Sequence, residues 1–218
     1  MNKVFEREVS QLKEAILRQA GDVEMRLART LDGVGKRDTA VLATVVKQDH
    51  EIDVREVLIE EDCLKILALH QPVAKDLRFV IAVLKINNDL ERVGDIVAHL
   101  AKRGTKIMEY PELPMMNAIL DIGHLAGSLL KKSIDALVTL DIALAKAVIV
   151  EDSEVDTMYK ETIRAIKKIM ASRDTAVEPE ALILARSMAY DMERIGDHST
   201  NIAEDVVYLV DGSIIRHQ

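Results

Sequence analysis

Asp89-Leu90-Glu91-Arg92-Val93-Gly94-Asp95 returns as Asp191-Met192-Glu193-Arg194-Ile195-Gly196-Asp197, with five of seven residues identical and an offset of 102. A second pair of segments repeats in the same sense. Asp49-His50-Glu51-Ile52-Asp53 returns as Asp152-Ser153-Glu154-Val155-Asp156 at an offset of 103. Two similarities that differ in offset by one residue indicate a duplicated unit.

Working outward from the first copy, Phe79, Val83, Ile86, Leu90, Val93, Val97 and Leu100 alternate spacings of four and three, the apolar seam of a helix packed along another helix. Pro72 fits the first turn of this helix and Gly104 its end. Upstream, Phe5, Val9, Leu12, Ile16, Val23, Leu27 and Leu31 mark a first helix over 4–34, closing near Gly33 and Gly35. Asp38 is an N-cap for a second helix carrying Val41, Val45, Ile52, Ile59 and Ile66 to about Leu69. Tyr110-Pro111-Glu112-Leu113-Pro114 holds two prolines in five residues and breaks any continuous helix there. Beyond it the pattern restarts, with helices over about 115–140, 141–172 and 179–211, the last closed by Gly212. The expected architecture is all-α, two tandem three-helix bundles of six long helices in all, residues 1–110 and 111–218.

Composition agrees. The 218 residues include only 9 Gly, 4 Pro and 3% aromatics, a poor supply for sandwiches or barrels. The net charge of −8 and pI near 5.3 oppose attraction to phosphate backbones or anionic lipid, so no nucleic-acid partner is expected. The single Cys63 makes neither an intramolecular disulfide nor a metal cage and reads as a core side chain. The first residues lack a signal-peptide apolar core, and no uncharged apolar run reaches membrane-spanning length, which points to the cytoplasm.

Each half offers two acid-x-x-x-acid pairs: Asp49/Asp53 with Glu91/Asp95, and Asp152/Asp156 with Glu193/Asp197. Residues four apart share a helical face, and like charges there cost a few tenths of a kcal/mol. One such pair in a chain with 30% charged residues is ordinary solvated surface. The spacing between pairs says more. With turns near residues 71 and 175, the members of each hairpin lie about 20–22 residues from the turn, level to within about 3 Å. Four level carboxylates call for a cation, and an all-oxygen set suits Mg²⁺, Ca²⁺, Mn²⁺ or Fe³⁺ better than a thiolate or imidazole zinc cage. Metal identity stays open among Mg, Mn, Fe, Ca and Zn. At about 100° per residue, Glu91 and Asp95 turn away from the seam, which predicts a water-facing groove. Gly94 and Gly196 inside the helices serve either close helix packing or room for a metal. His99 and His198 read first as surface residues and only second as extra ligands.

No nucleotide loop, nucleophile elbow or H-E-x-x-H motif is present, and no Glu has His three residues later, as the ferritin-like di-metal oxidases require. No catalytic residue is assigned.

Together with Gln71-Pro72-Val73-Ala74-Lys75-Asp76-Leu77-Arg78 and Glu193-Arg194-Ile195-Gly196-Asp197-His198-Ser199-Thr200-Asn201-Ile202-Ala203, these segments resemble the PhoU family across essentially the whole chain. The resemblance implies paired three-helix bundles whose acid-x-x-x-Asp motifs hold metal ions at the surface. It implies a cytoplasmic, often homodimeric regulator, associated with membrane complexes only peripherally. Such a regulator links a phosphate ABC transporter, through its ATPase subunit, to a phosphate sensor histidine kinase, and represses the phosphate-starvation response. The metal candidates carried over are Asp49, Asp53, Glu91, Asp95, Asp152, Asp156, Glu193 and Asp197. The halves differ: Ile96 stands where the second half has His198, His99 stands where it has Asn201, and the Pro72–Arg78 segment has no second-half counterpart. The competing readings are a carboxylate-bridged metal store or di-metal enzyme, and a structural scaffold whose acids are only solvated.

Overall fold

Long runs of Ala, Leu, Glu, Lys and Arg with few breakers favour helix wherever an apolar stripe can be buried, and the chain follows that rule throughout. The computed structural model describes residues 3–172 and 177–213. Among them are seven helices and no strand: α1 (Lys3–Gly35), α2 (Thr39–Lys47), α3 (His50–His70), α4 (Ala74–Ile107), α5 (Met116–Thr139), α6 (Ile142–Ala171) and α7 (Pro179–Asp211). The first bundle is α1, the α2–α3 pair and α4; the second is α5, α6 and α7. The duplicated three-helix plan is therefore present, with the second rod of the first half in two pieces. The turn expected near residue 175 lies outside the described residues.

The seam on α4 is buried as its spacing requires, with Val83, Ile86, Leu90, Val93, Val97 and Leu100 at most 1% exposed. Asp38 caps α2 by accepting hydrogen bonds from the Ala40 and Val41 amides, and Asp141 caps α6 in the same way through Ala143 and Leu144. Gly212 ends α7 at φ +78°, its amide bonded to the Tyr208 carbonyl. The halves join along two seams, α4 against α7 and α1 against α5.

Three expectations are corrected. Gly104 does not stop α4, which runs on to Ile107; a Cβ there would lie 2.7 Å from Val34 Cγ2 and 3.2 Å from Leu42 Cδ1, so its bareness lets α1 and α2 press onto α4. Pro72 precedes α4 rather than opening it, with extended Val73 as the N-cap. The single helix expected over 38–69 breaks at Gln48 and Asp49. This break has a visible cause. Arg26 of α1, 4% exposed, donates Nη1 to the Gln48 carbonyl and Nη2 to Glu51 Oε2 at 2.7 Å. A buried guanidinium needs oxygen acceptors, and the Gln48 carbonyl, which accepts the Glu51 amide at 3.1 Å across the junction, has a second lone pair to offer. β-Branched residues do not explain the break: Thr44-Val45-Val46 precedes it, yet Val148-Ile149-Val150, one residue along from the aligned place in α6, leaves that helix intact.

Candidate metal centre

The break sets Asp49 at the start of α3, with Glu51 and Asp53 in its first turn. Carboxylates there face the positive end of the helix dipole, which relieves part of their mutual repulsion. On α4, Asp95 comes level with them. One oxygen each from Asp49, Asp53 and Asp95 lie within 4.8 Å of one another, and among the described residues this is the group of three that meets that condition. Glu91, the fourth expected ligand, stands outside the trio, with Arg92 Nε 3.5 Å from its Oε2. It shares the field nonetheless. Burial, then the Asp95 charge, raises its pKa while Arg92 opposes the rise. Asp49 is raised by burial and by Asp53 and Asp95, against the pull of Lys102 and Arg26.

In the second half, Asp152 and Asp156 lie within the unbroken α6, far from either dipole end, and face Glu193 and Asp197 on α7. Burial, then the Asp197 and Asp156 charges, pushes Asp152 up to about 6. Burial, then Asp197, Asp156 and Asp152, pushes Glu193 up to about 7. Asp197 is raised chiefly by burial and then by Asp156. Lys160, one turn along α6, draws Asp156 to 2.7 Å. Glu193 Oε2 is buried and has no hydrogen-bond partner among the described residues. A cation or a proton would satisfy this orphaned oxygen among three other acids; among the described residues no three of these acids bring oxygens within 4.8 Å of one another, as the first-half trio does.

Gly94 and Gly196 turn out to be close-packing positions with different neighbours. A Cβ on Gly94 would lie 2.9 Å from Ile52 Cδ1, and one on Gly196 would lie 2.6 Å from Asp152 Oδ1. The second glycine therefore makes space for a carboxylate itself. The water-facing groove becomes a cleft between helices: Asp53 and Asp197 are exposed, while the other six acids are half-buried.

A family model described as the PhoU domain matches residues 16–104 and again 119–206. The chain belongs to the PhoU family. It is 30% identical to the phosphate-specific transport system accessory protein PhoU of Serratia marcescens, over 98% of this chain and 87% of that protein. The PhoU homologue of Pseudomonas aeruginosa is 32% identical over 100% of this chain and 89% of its own length. The crystal structure of PhoU from Pseudomonas aeruginosa superposes with a TM-score of 0.91, covering 96% of this chain and all of that one. The phosphate transport system regulatory protein PhoU from Streptococcus pneumoniae gives 0.86 at 26% identity, covering 97% and 99%.

Within this PhoU-family chain, a set of buried charges between the halves escaped the sequence reading. Asp89 on α4 accepts from His198 Nδ1 at 2.8 Å and Asn201 Nδ2 at 3.2 Å on α7. Its repeat-mate Asp191 on α7 pairs with Arg103 on α4, and Asp205 with Lys85 at 3.1 Å. His198 is thus an inter-half anchor, neither a free surface residue nor a ligand of the acid cluster here, whereas His99 is exposed. A signal existed. Asp89 lies on the seam side of Leu90 by the same angular count that turns Glu91 outward. Cys63 is buried, and burial pushes its thiol up to about 12, so it is an inert core residue.

Proposed function

We propose that the chain is an accessory and regulatory protein of a phosphate-specific transport system. The observation that carries the reading is likeness over nearly the full length, in both repeats, to proteins so named. In finer terms, it docks in the cytoplasm on the transporter's ATPase subunit and on a phosphate sensor histidine kinase, restraining the phosphate-starvation response when phosphate is plentiful. Its association with the membrane is peripheral and it acts as a homodimer. No helix among the described residues is long and apolar enough to cross a membrane, which accords with peripheral association.

The acid clusters serve that role as metal sites: Asp49, Asp53 and Asp95 with Glu91 nearby, and Asp152, Asp156, Glu193 and Asp197. These carboxylates would hold a hard cation, Mg, Mn, Fe or Ca before Zn, whose charge would offset part of each cluster's repulsion and link adjacent helices. The chain's own residues do the rest. Arg26 fixes the position of Asp49 through the α2–α3 junction, and Gly196 lets Asp152 reach α7. No catalytic role is assigned to any residue. Two measurements test this reading. Deleting the protein should leave a phosphate-starvation reporter expressed at high phosphate, and calorimetric titration should detect binding to the ATPase subunit and the kinase; an unchanged reporter and no binding would reject it. The three oxygens within 4.8 Å favour one competitor, a carboxylate-bridged metal store or di-metal enzyme. Elemental analysis with a ferroxidase assay separates the two, since turnover with stoichiometric iron favours the competitor.

A further inference from the structure

α3 is apolar on two opposite faces. Ile52, Ile59, Cys63 and Ile66 are buried against α1 and α4. On the other side Val54, Val57, Leu58 and Leu64 are 47%, 49%, 54% and 53% exposed, and Leu69 is 66% exposed. At about 100° per residue these five form one stripe roughly opposite the core face, about 22 Å long.

The duplicated half shows that the fold does not require this stripe. At the same offset that aligns the acid pairs, those five positions are occupied on α6 by Thr157, Lys160, Glu161, Lys167 and Ser172, all exposed. The core register is kept meanwhile, Ile52 matching Val155 and Ile59 matching Thr162, both buried. Five exposed apolar side chains on one helix, with polar residues at all five places in its duplicate, mark a surface whose partner is elsewhere.

Charge indicates which partner. The two bases of this stretch are turned back onto α1, Arg55 pairing with Asp22 and Lys65 with Glu8 at 3.0 Å. Glu60, Glu61 and Asp62 are exposed, and none of the ion pairs among the described residues engages them. By the same angular count Glu60 and Asp62 flank the stripe on its two sides and Glu61 lies within it, so the face is both apolar and acidic. A second copy meeting it face to face would oppose acid to acid, and anionic lipid would be repelled. We infer that the outer face of α3, Val54 to Leu69, docks a basic amphipathic helix of a partner protein, apolar side against the stripe and Lys or Arg toward Glu60, Glu61 and Asp62.

This deepens the docking role proposed above by naming its face. The probe is an 18-residue helical leucine–lysine peptide, with a leucine–glutamate peptide as control, titrated into the full chain. The expected result is saturable one-to-one binding at micromolar Kd with hydrogen-exchange protection over 54–69 and no binding of the control. Val57→Lys with Leu64→Lys, which installs the residues α6 carries, should weaken binding at least tenfold while leaving circular dichroism and Tm near those of the parent. Glu60→Gln, Glu61→Gln and Asp62→Asn together should weaken it several-fold with no apolar residue touched. Equal binding of both peptides, absence of binding, or indifference to both variants overturns the inference. So does a dimer in ultracentrifugation that Val57→Lys with Leu64→Lys dissolves, or protection of 54–69 by phosphatidylcholine vesicles in place of the peptide. Failure of the wider reading looks different. If the ATPase subunit or the kinase binds the parent and the doubly substituted chain equally, this face is wrong and the docking role stands; if neither binds the parent, the docking role itself fails.

Discussion

The two acid clusters share a sequence pattern and differ in how their repulsion is relieved. In the first half the rod is broken at Gln48, so Asp49 and Asp53 stand at the start of α3, with Lys102 and Arg26 favouring the charged form of Asp49. In the second half α6 runs unbroken through Asp152 and Asp156, and no cation is among the causes acting on Asp152. Burial is the largest cause lifting Asp152 to about 6 and Glu193 to about 7, the neighbouring acids come next, and Arg194 opposes the rise only at Glu193. One pattern of acids thus yields a trio gathered by backbone geometry and a quartet held at higher electrostatic cost. A repeated motif conserves spacing, whereas its electrostatics depend on what the neighbouring helices supply.

The largest test of this contrast removes one cluster at a time. Asp49→Asn with Asp53→Asn and Asp95→Asn should abolish Mn²⁺ bound by the first half, as measured by equilibrium dialysis and elemental analysis, and leave the second half's share intact. Asp152→Asn with Glu193→Gln and Asp197→Asn should do the reverse. Loss of both shares from either set would mean a single shared site and would break the comparison.

Next in size is the junction. Arg26→Ala leaves the Glu51 carboxylate without this donor and the Gln48 carbonyl with only the Glu51 amide among the described residues, and should cost about 2–4 kcal/mol in denaturant unfolding, along with first-half metal. Lys132→Ala, which removes the more exposed α5 partner of Glu151 at the matching place in α6, should cost less than about 1 kcal/mol. Similar costs would show that the broken rod does not depend on Arg26.

A smaller effect is expected from pH. Both Asp152 and Glu193 hold protons more tightly folded than unfolded, with values of about 6 and about 7 against 3.8 and 4.5. Below about pH 3 both states are protonated and the groups add no slope. Between about pH 3 and 8 the folded state binds more protons, so the stability of chelator-treated protein should fall as pH rises, levelling above about 8. Glu193→Gln should flatten that fall more than Glu91→Gln does. Urea midpoints across this range decide it; a midpoint that climbs with pH would reverse the sign.

The smallest effect separates the glycines. Gly94→Ala presses on buried Ile52 and should cost about 1–2 kcal/mol after the gain in helix propensity. Gly196→Ala meets a carboxylate that can rotate, so its stability cost should be smaller while second-half metal affinity drops several-fold. Thermal melts beside metal titrations would sharpen this ranking.

Much of this was legible in the residues. The α4 seam, the Asp38 cap and the end at Gly212 follow from helical period and turn chemistry, which act over a few residues. The break at Gln48 was not legible, because its cause is an arginine 22 residues away on another helix. Nor was the displacement of Glu91 from the trio, or the anchoring of His198 on Asp89 across the halves.

By itself, then, the sequence determined the helices, the duplication and which acids share a face, since periodicity and local capping are carried along the chain. The tertiary structure alone decided which acids gather within ligand distance, which are relieved by a helix end or a cation, and which charges lock the halves. Those outcomes depend on burial and on partners brought from distant segments, and no local pattern encodes a dielectric or a neighbour.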